Sequence, residues 1–89
     1  MLQIPPGIDK GSAYIFKGLE KENKLKNIYL DNNVLNDGTL KFLKELYKKS
    51  NENLKNGNLK VISMTNNQFS NGKELVKEIK KLTKTLIYI

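Results

Sequence analysis

A fourteen-residue pattern occurs twice in this 89-residue chain and limits the folds that the chain can adopt. The copies are residues 25–38, LKNIYLDNNVLNDG, and residues 59–72, LKVISMTNNQFSNG, and both fit the template LxxIx[LM]xxNx[LF]xxG. In each copy, alternating apolar residues give way to asparagine and glycine, which is typical of a short strand followed by a turn. A segment rich in lysine and glutamate, with helical apolar spacing, follows each copy. Repetition of such a unit predicts a stacked β-α array.

Apolar residues at helical spacing predict three helices, over about residues 12–22, 39–50 and 73–84. In the two later segments, most lysines lie on the side opposite to the apolar residues, as expected for helices that cover a sheet. We therefore expect each helix to be buried along one stripe. The residues predicted to face the core are Ile15, Phe16 and Leu19 in the first helix, Leu40, Leu43, Leu46 and Tyr47 in the second, and Leu75, Val76, Ile79 and Leu82 in the third.

Short apolar segments predict four strands, at residues 1–4, 28–30, 61–64 and 86–89. The resulting order, β-α-β-α-β-α-β, is typical of an α/β fold with parallel strands and right-handed crossovers. We expect a single domain over residues 1–89. Each strand has one strongly apolar face and one mixed face, so all helices are expected on the same side of the sheet.

The β-α units divide the chain into predicted repeats at residues 1–24, 25–58 and 59–84, followed by a partial strand at 85–89. The repeat length is not constant, because Gly11 and Gly38 are 27 residues apart whereas Gly38 and Gly72 are 34 apart. The polar stretch 51–58, NENLKNGN, contains the extra residues and is predicted to be a loop. Repeat proteins tolerate such insertions on one face.

The pattern resembles the leucine-rich repeat family, closest to its ribonuclease-inhibitor-like branch, in which LxxLxLxxNxL precedes a helix. The matching positions are Leu25, Ile28, Leu30, Asn33 and Leu35 in one copy and Leu59, Ile62, Met64, Asn67 and Phe69 in the other. Leu2 and Ile4 begin a weaker copy with Gly7 at the asparagine position, and Ile87 and Ile89 match the strand of a fourth, with Lys84 as its first residue. The resemblance implies a short parallel array with helices on one face. It also implies that Asn33 and Asn67 form a hydrogen-bonded ladder between repeats.

A protein-binding surface is the function that this resemblance implies. The family presents the outward positions of its strands to partners, and stacked repeats mostly form binding surfaces. Exposed tyrosines are suitable anchors for a partner, although the β-propensity of tyrosine explains their place in strands equally well. The partner is expected to be another protein of unknown identity. The outward positions are Gln3, Tyr29, Ser63 and Tyr88, flanked by Asn27, Asp31, Val61 and Thr65.

The same series of elements also resembles a STAS domain, the fold of bacterial anti-sigma-factor antagonists. That family carries an Asp-Ser motif before a long helix, and its serine is phosphorylated. The corresponding stretch here, residues 35–39, has no serine and ends at Thr39. Thr39 is then a candidate phosphoacceptor, but a helix N-cap is the more ordinary role for threonine in this position. The STAS alternative predicts a small regulatory domain that also acts by binding proteins. Sequential strand order would favour the repeat array, and a strand order that switches direction would favour STAS.

Composition argues against catalysis and bound cofactors. The chain has no cysteine and no histidine, which removes thiolate metal sites and the commonest general base. No glycine-rich phosphate loop and no nucleophile beside a base are evident. Asp31 and Asp37 are more typical of turn and cap residues than of metal ligands. We therefore expect a non-enzymatic protein without cofactor or metal.

All sixteen basic residues are lysine, and the net charge is +7. The preferred explanation is an AT-rich genome, since lysine and asparagine both have A-rich codons. Nucleic acid is the alternative partner, but base recognition relies heavily on arginine, so any such binding is expected to be weak, non-specific and sensitive to salt. The longest apolar runs are too short for a membrane span, so no membrane partner is expected. The lack of cysteine fits a reducing compartment, and we expect a cytoplasmic location.

Overall fold

The computed structural model describes residues 9–18, 24–49 and 59–89. Within these ranges the chain forms a small α/β structure with three helices and a three-stranded parallel sheet. The predicted strand at residues 1–4, which contains Gln3, lies outside the described residues, as do Leu19 and the loop at 51–58. The elements are α1 (Lys10–Gly18), β1 (Asn27–Tyr29), α2 (Asp37–Lys48), β2 (Val61–Ser63), α3 (Gly72–Lys80) and β3 (Leu86–Tyr88).

The described strands lie side by side in the order in which they occur along the chain, β1-β2-β3, and both pairs are parallel. Ile28, Ile62 and Ile87 are aligned in one row across the sheet. The sequence template placed these three isoleucines at equivalent positions, and the register confirms that alignment. The offset is 34 residues between β1 and β2 but 25 residues between β2 and β3.

The sheet has one buried face and one exposed face. The aligned isoleucines are buried, whereas the next residue in β1 and in β3, Tyr29 and Tyr88, is 67% and 50% exposed. Alternation of this kind follows from the two-residue period of a strand. The buried isoleucines join a core to which all three described helices contribute. The described helices therefore cover the isoleucine side of the sheet. Their core residues are Phe16, Leu40, Leu43, Leu46, Tyr47, Leu75, Val76 and Ile79, with Leu82 packed beside them.

Helix α2 confirms its predicted apolar stripe, but its start differs from the prediction. The helix begins at Asp37, and its N-cap is Asn36, whose side-chain oxygen accepts a hydrogen bond from the Gly38 N–H at 2.9 Å. Thr39 lies inside the first turn and is buried. The prediction that Thr39 caps the helix is therefore wrong, because an asparagine three residues earlier already adopts the extended backbone conformation of a cap.

Helix α1 corrects a second prediction. Ser12, Ala13 and Phe16 are its buried residues, whereas Ile15 is 42% exposed. Each residue turns a helix by about 100°, so Ile15 lies about 200° from Ala13 and faces away from the buried stripe. Asp9 accepts the Ser12 N–H at 2.8 Å and fixes where the helix starts.

An ion pair joins α2 to α3. Lys44, predicted on the outer side of α2, has its Nζ atom 2.8 Å from Glu78 Oε1 and is only partly exposed. Lys44 therefore lies along the seam between the two helices, and part of its side chain is covered by the neighbouring helix.

Ile62→Ala is expected to destabilise the fold by about 2–5 kcal/mol, since the side chain is fully buried at the centre of the sheet and its loss leaves a cavity. Val61→Ala is the matched control in the same strand, and it should cost less because Val61 is only partly buried. Urea unfolding of both variants measures the difference. Equal losses would show that the two faces of β2 are not buried as described.

Candidate functional site

The exposed side of the sheet is the candidate site, and we call it the open face. Its six outward positions form two rows across the three strands. Tyr29, Ser63 and Tyr88 form the first row, and Asn27, Val61 and Leu86 form the second. No described position in either row carries a charge. The open face is therefore a neutral surface with aromatic and aliphatic groups on a hydrogen-bonded backbone.

The first row forms a shallow trough. Neighbouring strands lie about 4.8 Å apart, so the Cα atoms of Tyr29 and Tyr88 are separated by about 10 Å. Ser63, a small residue, lies between them and is half-buried. Its hydroxyl donates a hydrogen bond to Asp31 Oδ1 at 2.7 Å, so it points toward the carboxyl end of β1. Two large, exposed side chains thus flank a small, half-buried one in this row.

The structure brings most of the predicted binding residues together. Asn27, Tyr29, Val61, Ser63 and Tyr88 all lie on the open face, as the period-two pattern predicted. Asp31 and Thr65 lie just beyond the carboxyl ends of β1 and β2 and bond to each other.

Leu86 is the open-face residue that the sequence prediction missed. It is 46% exposed and is aligned with Val61 in the second row. The signal was present in the sequence, because equivalence of Ile87 with Ile62 also makes Leu86 equivalent to Val61. The predicted outward positions include Tyr88, which follows Ile87, but not Leu86, which precedes it.

The carboxylate of Asp31 joins β1 to β2. Its Oδ1 atom accepts hydrogen bonds at 2.7 Å from the Ser63 hydroxyl, the Thr65 N–H and the Thr65 hydroxyl. These bonds, led by the one from Ser63, lower the pKa of the Asp31 carboxyl below its usual value. Asp31, predicted as a flanking binding residue, thus also holds the edge of the open face in place.

The side chain of Asn67 bonds to backbone groups of both β-α units. Its side-chain oxygen accepts the N–H groups of Asn33 and Leu35, at 3.0 and 3.1 Å. Its amide nitrogen donates to the Leu30 carbonyl of the first unit at 3.0 Å and to the Met64 carbonyl of its own unit at 2.9 Å. One side chain therefore satisfies backbone groups of both repeats at the turn that follows each strand.

Asn33 occupies the equivalent position in the first unit and bonds within its own turn. Its side-chain nitrogen donates to the carbonyls of Leu30 and Asp31, at 3.0 and 3.2 Å. Asn33 and Asn67 thus have the same local role, but of these two side chains it is that of Asn67 that also bonds to the neighbouring unit.

Two further contacts repeat the 34-residue offset. Asn32 and Asn66 both have positive φ, at 60° and 57°, a backbone conformation that asparagine tolerates better than most residues. Their side chains bond to each other. Asp37 accepts the N–H groups of Ser70 and Asn71, each at 2.9 Å. The second unit therefore follows the first in register from the strand to the start of the helix.

The carboxylates of Asp31 and Asp37 bond to the backbone of the second unit. Asp31 and Asp37 each receive N–H donors from the second unit, which is the turn role expected for them. Among the described residues, no group of three or more acidic side chains is placed to hold a metal ion. No described helix is long and apolar enough to cross a membrane.

Thr39 does not offer a phosphorylation site. It is fully buried, and its hydroxyl has no hydrogen-bond partner among the described residues. A kinase needs an exposed hydroxyl, so the phosphoacceptor role considered for Thr39 conflicts with its buried position in the first turn of α2.

Comparison with known protein families, with curated proteins and with solved structures finds no match for this chain. The leucine-rich repeat and STAS resemblances therefore both stay predictions.

Asn67→Ala is expected to destabilise the protein by about 1–3 kcal/mol, because it leaves backbone groups of two turns without partners. Asn71→Ala is the control in the same segment, since Asn71 precedes α3 without a side-chain capping bond. It should cost less. Denaturant midpoints of the two variants decide the comparison, and equal midpoints would contradict a bridging role for Asn67.

Asp31→Asn is expected to reduce the loss of stability in acid. Because folding lowers the Asp31 pKa, its contribution is present above the unfolded value of about 3.9 and is lost as the pH falls through the folded value. The variant has no such proton to bind, so its free energy of unfolding should fall less than that of the wild type between about pH 5 and pH 2. Urea unfolding across this range tests the difference. Parallel pH curves for the two proteins would contradict it.

Proposed function

We propose that this protein is a non-enzymatic module that binds a partner protein through the open face. The supporting observation is the first row, in which two largely exposed tyrosines flank a small residue on a neutral surface. Tyrosine is enriched among the residues that contribute most to binding, because its ring buries a large area while its hydroxyl stays hydrogen-bonded.

Rigidity of the backbone also favours binding through this face. The turn after β1 is joined to the turn after β2 by the side chains of Asn67 and Asp31. A surface that is already ordered loses less conformational entropy when a partner binds. Tyr29 and Tyr88 are then presented at a fixed separation.

Chemistry on the open face favours binding over catalysis. The hydroxyls of Ser63 and Thr65 each lie 2.7 Å from the Asp31 carboxylate. Asp31 is a weak base toward a hydroxyl because its pKa is lowered by the same hydrogen bonds. These bonds are better explained as a strand-to-strand bridge.

The sequential strand order is the arrangement expected of a repeat array, and it favours this proposal over the STAS alternative. The STAS alternative also needs a phosphorylated residue near the start of α2, where Thr39 is buried. Nucleic acid is less favoured as a partner because no open-face position carries a lysine.

The proposal predicts that Tyr29→Ala combined with Tyr88→Ala weakens binding by about thirtyfold or more, equivalent to about 2 kcal/mol. Peptides selected from a displayed random library against the wild-type protein serve as ligands, and isothermal titration calorimetry measures their Kd. Tyr14→Ala is the matched control, because Tyr14 is 59% exposed on α1, away from the sheet. The free energy of unfolding should change little in the tyrosine double variant and in the Tyr14→Ala control.

Two results contradict the proposal. One is a set of selected peptides that bind the double variant as well as the wild type. The other is a library that yields no binder to the wild type while a control protein in the same selection does.

A further inference from the structure

The turns that follow β1 and β2 have the same local structure. The side-chain nitrogens of Asn33 and Asn67 each donate to two carbonyls of their own turn, at 3.0 and 3.2 Å in the first turn and at 2.9 and 3.2 Å in the second. The residues before them, Asn32 and Asn66, have φ values of 60° and 57°. Backbone groups that are 34 residues apart in the two turns therefore point in equivalent directions.

The second turn supplies the hydrogen-bond partners of the first. The Asn67 side-chain oxygen accepts the N–H groups of Asn33 and Leu35, and its side-chain nitrogen donates to the Leu30 carbonyl. The next residue, Gln68, donates its N–H to the Leu35 carbonyl at 2.8 Å. One carboxamide and the backbone N–H that follows it thus satisfy two donors and two acceptors of the first turn.

The second turn presents the same four backbone groups. The 34-residue offset makes them the N–H groups of Asn67 and Phe69 and the carbonyls of Met64 and Phe69. In the part of the chain that the structure describes, no residue accepts either N–H group. The Met64 carbonyl accepts a bond from the Asn67 side chain, and a carbonyl oxygen can accept two. The second turn is therefore arranged to bind a carboxamide as the first turn does.

A groove with a volume of about 480 Å³ lies along this turn. Ile89, which is 38% exposed, forms an apolar wall of the groove and packs against the start of α3, since a Cβ atom at Gly72 would lie 2.6 Å from Ile89 Cδ1. The register of β3 places Ile89 beside Met64, so the described chain covers β2 and leaves the turn after it open. The lining includes Asn66, Asn67, Phe69, Asn71, Gly72 and Ile89.

We propose that this groove binds the side-chain carboxamide of an asparagine in a loop of a partner protein. The carboxamide oxygen accepts the N–H groups of Asn67 and Phe69, and its nitrogen donates to the Met64 carbonyl. The N–H of the next partner residue donates to the Phe69 carbonyl. The partner residue after that is apolar, because Leu35 and Phe69 hold this place in the chain's own turns and Ile89 supplies an apolar wall. This groove is separate from the open face, so the inference goes beyond the proposed function.

The probe is a peptide with the sequence of residues 65–71, TNNQFSN, blocked at both ends. These residues form the turn that covers the first unit, and β3 with Ile89 already takes the place of residues 61–64 beside the second. The peptide is titrated to millimolar concentration into the ¹⁵N-labelled protein and followed by NMR. The amide resonances of Asn67 and Phe69 should shift and saturate, because both N–H groups gain an acceptor.

Variant peptides test the carboxamide itself. Alanine in place of the asparagine that corresponds to Asn67 should weaken binding about tenfold or more, because the bonds of the carboxamide are lost. Aspartate there should also weaken binding, since a carboxylate has no N–H for the Met64 carbonyl. The matched control has glycine in place of the asparagine that corresponds to Asn66, because glycine adopts the same positive φ, and it should stay within about threefold of the parent peptide.

Variants of the protein locate the site. Ile89→Ala should weaken binding of the parent peptide about threefold or more, because the groove loses its apolar wall. Leu86→Ala is the matched control in the same strand, since Leu86 lies on the open face, and it should bind the peptide as the wild type does. Thermal melts followed by circular dichroism verify that both variants fold. The double variant Tyr29→Ala and Tyr88→Ala should also keep its affinity for this peptide.

Several results would overturn the inference. The first is the absence of saturable shifts at Asn67 and Phe69, and the second is an aspartate peptide that binds as tightly as the parent, which would indicate an anion site. Shifts centred on Tyr29 and Tyr88 would assign the peptide to the open face and leave the proposed function standing without this groove. Shifts of the Asn67 and Phe69 amides with protein concentration alone would assign the groove to a second copy of the chain.

Discussion

The side chain of Asn67 joins the two β-α units at the point where each chain leaves the sheet for its helix. The turn after β1 cannot satisfy its own N–H groups at Asn33 and Leu35, and Asn67 accepts both of them. The same amide donates to the carbonyls of Leu30 and Met64. Because unpaired backbone groups at a partly buried turn are costly, these bonds stabilise the stacking of the second unit on the first, together with backbone bonds from the Asn32 N–H to Thr65 and from the Gln68 N–H to Leu35. The 34-residue offset seen in β1 and β2 continues through Asp31, Asn66 and Asp37, so each of these contacts depends on the same stacking.

An exposed face on a parallel sheet is the main consequence of this architecture. Parallel sheets are usually covered on both sides, since their crossover helices pack on the faces. Here the described helices share one core with Ile28, Ile62 and Ile87, and the tyrosines on the other side stay exposed. The strands are only three residues long, so the uncovered surface is small and a single partner segment could cover most of it. Hydrogen bonds at the turns hold the described strands in position. The proposed binding function follows from that geometry, because the face is both exposed and ordered.

Periodicity predicted much of the fold. The apolar stripe of α2, the alternation in the strands and the alignment of the three isoleucines all depend on local spacing, and each is found in the structure. Helix boundaries were predicted less well. Threonine often caps helices, which predicts Thr39 as the cap, but Asn36 caps α2, and the earlier start places Thr39 in the buried first turn. Ile15 was placed inward by its hydrophobicity, whereas the stripe through Ala13 and Phe16 leaves it on the outer side of α1.

The sequence by itself determined which side of each strand is apolar and which asparagines occupy equivalent turns, because both properties depend only on residue spacing. Only the tertiary structure decided what those positions contact. The bridge from Asp31 to Ser63 and Thr65 needs β1 and β2 to be paired at an offset of 34 residues. The place of Leu86 on the open face needs β3 to pair at an offset of 25. A contact between strands depends on register, and register is fixed by packing and turn hydrogen bonds acting together rather than by any one segment.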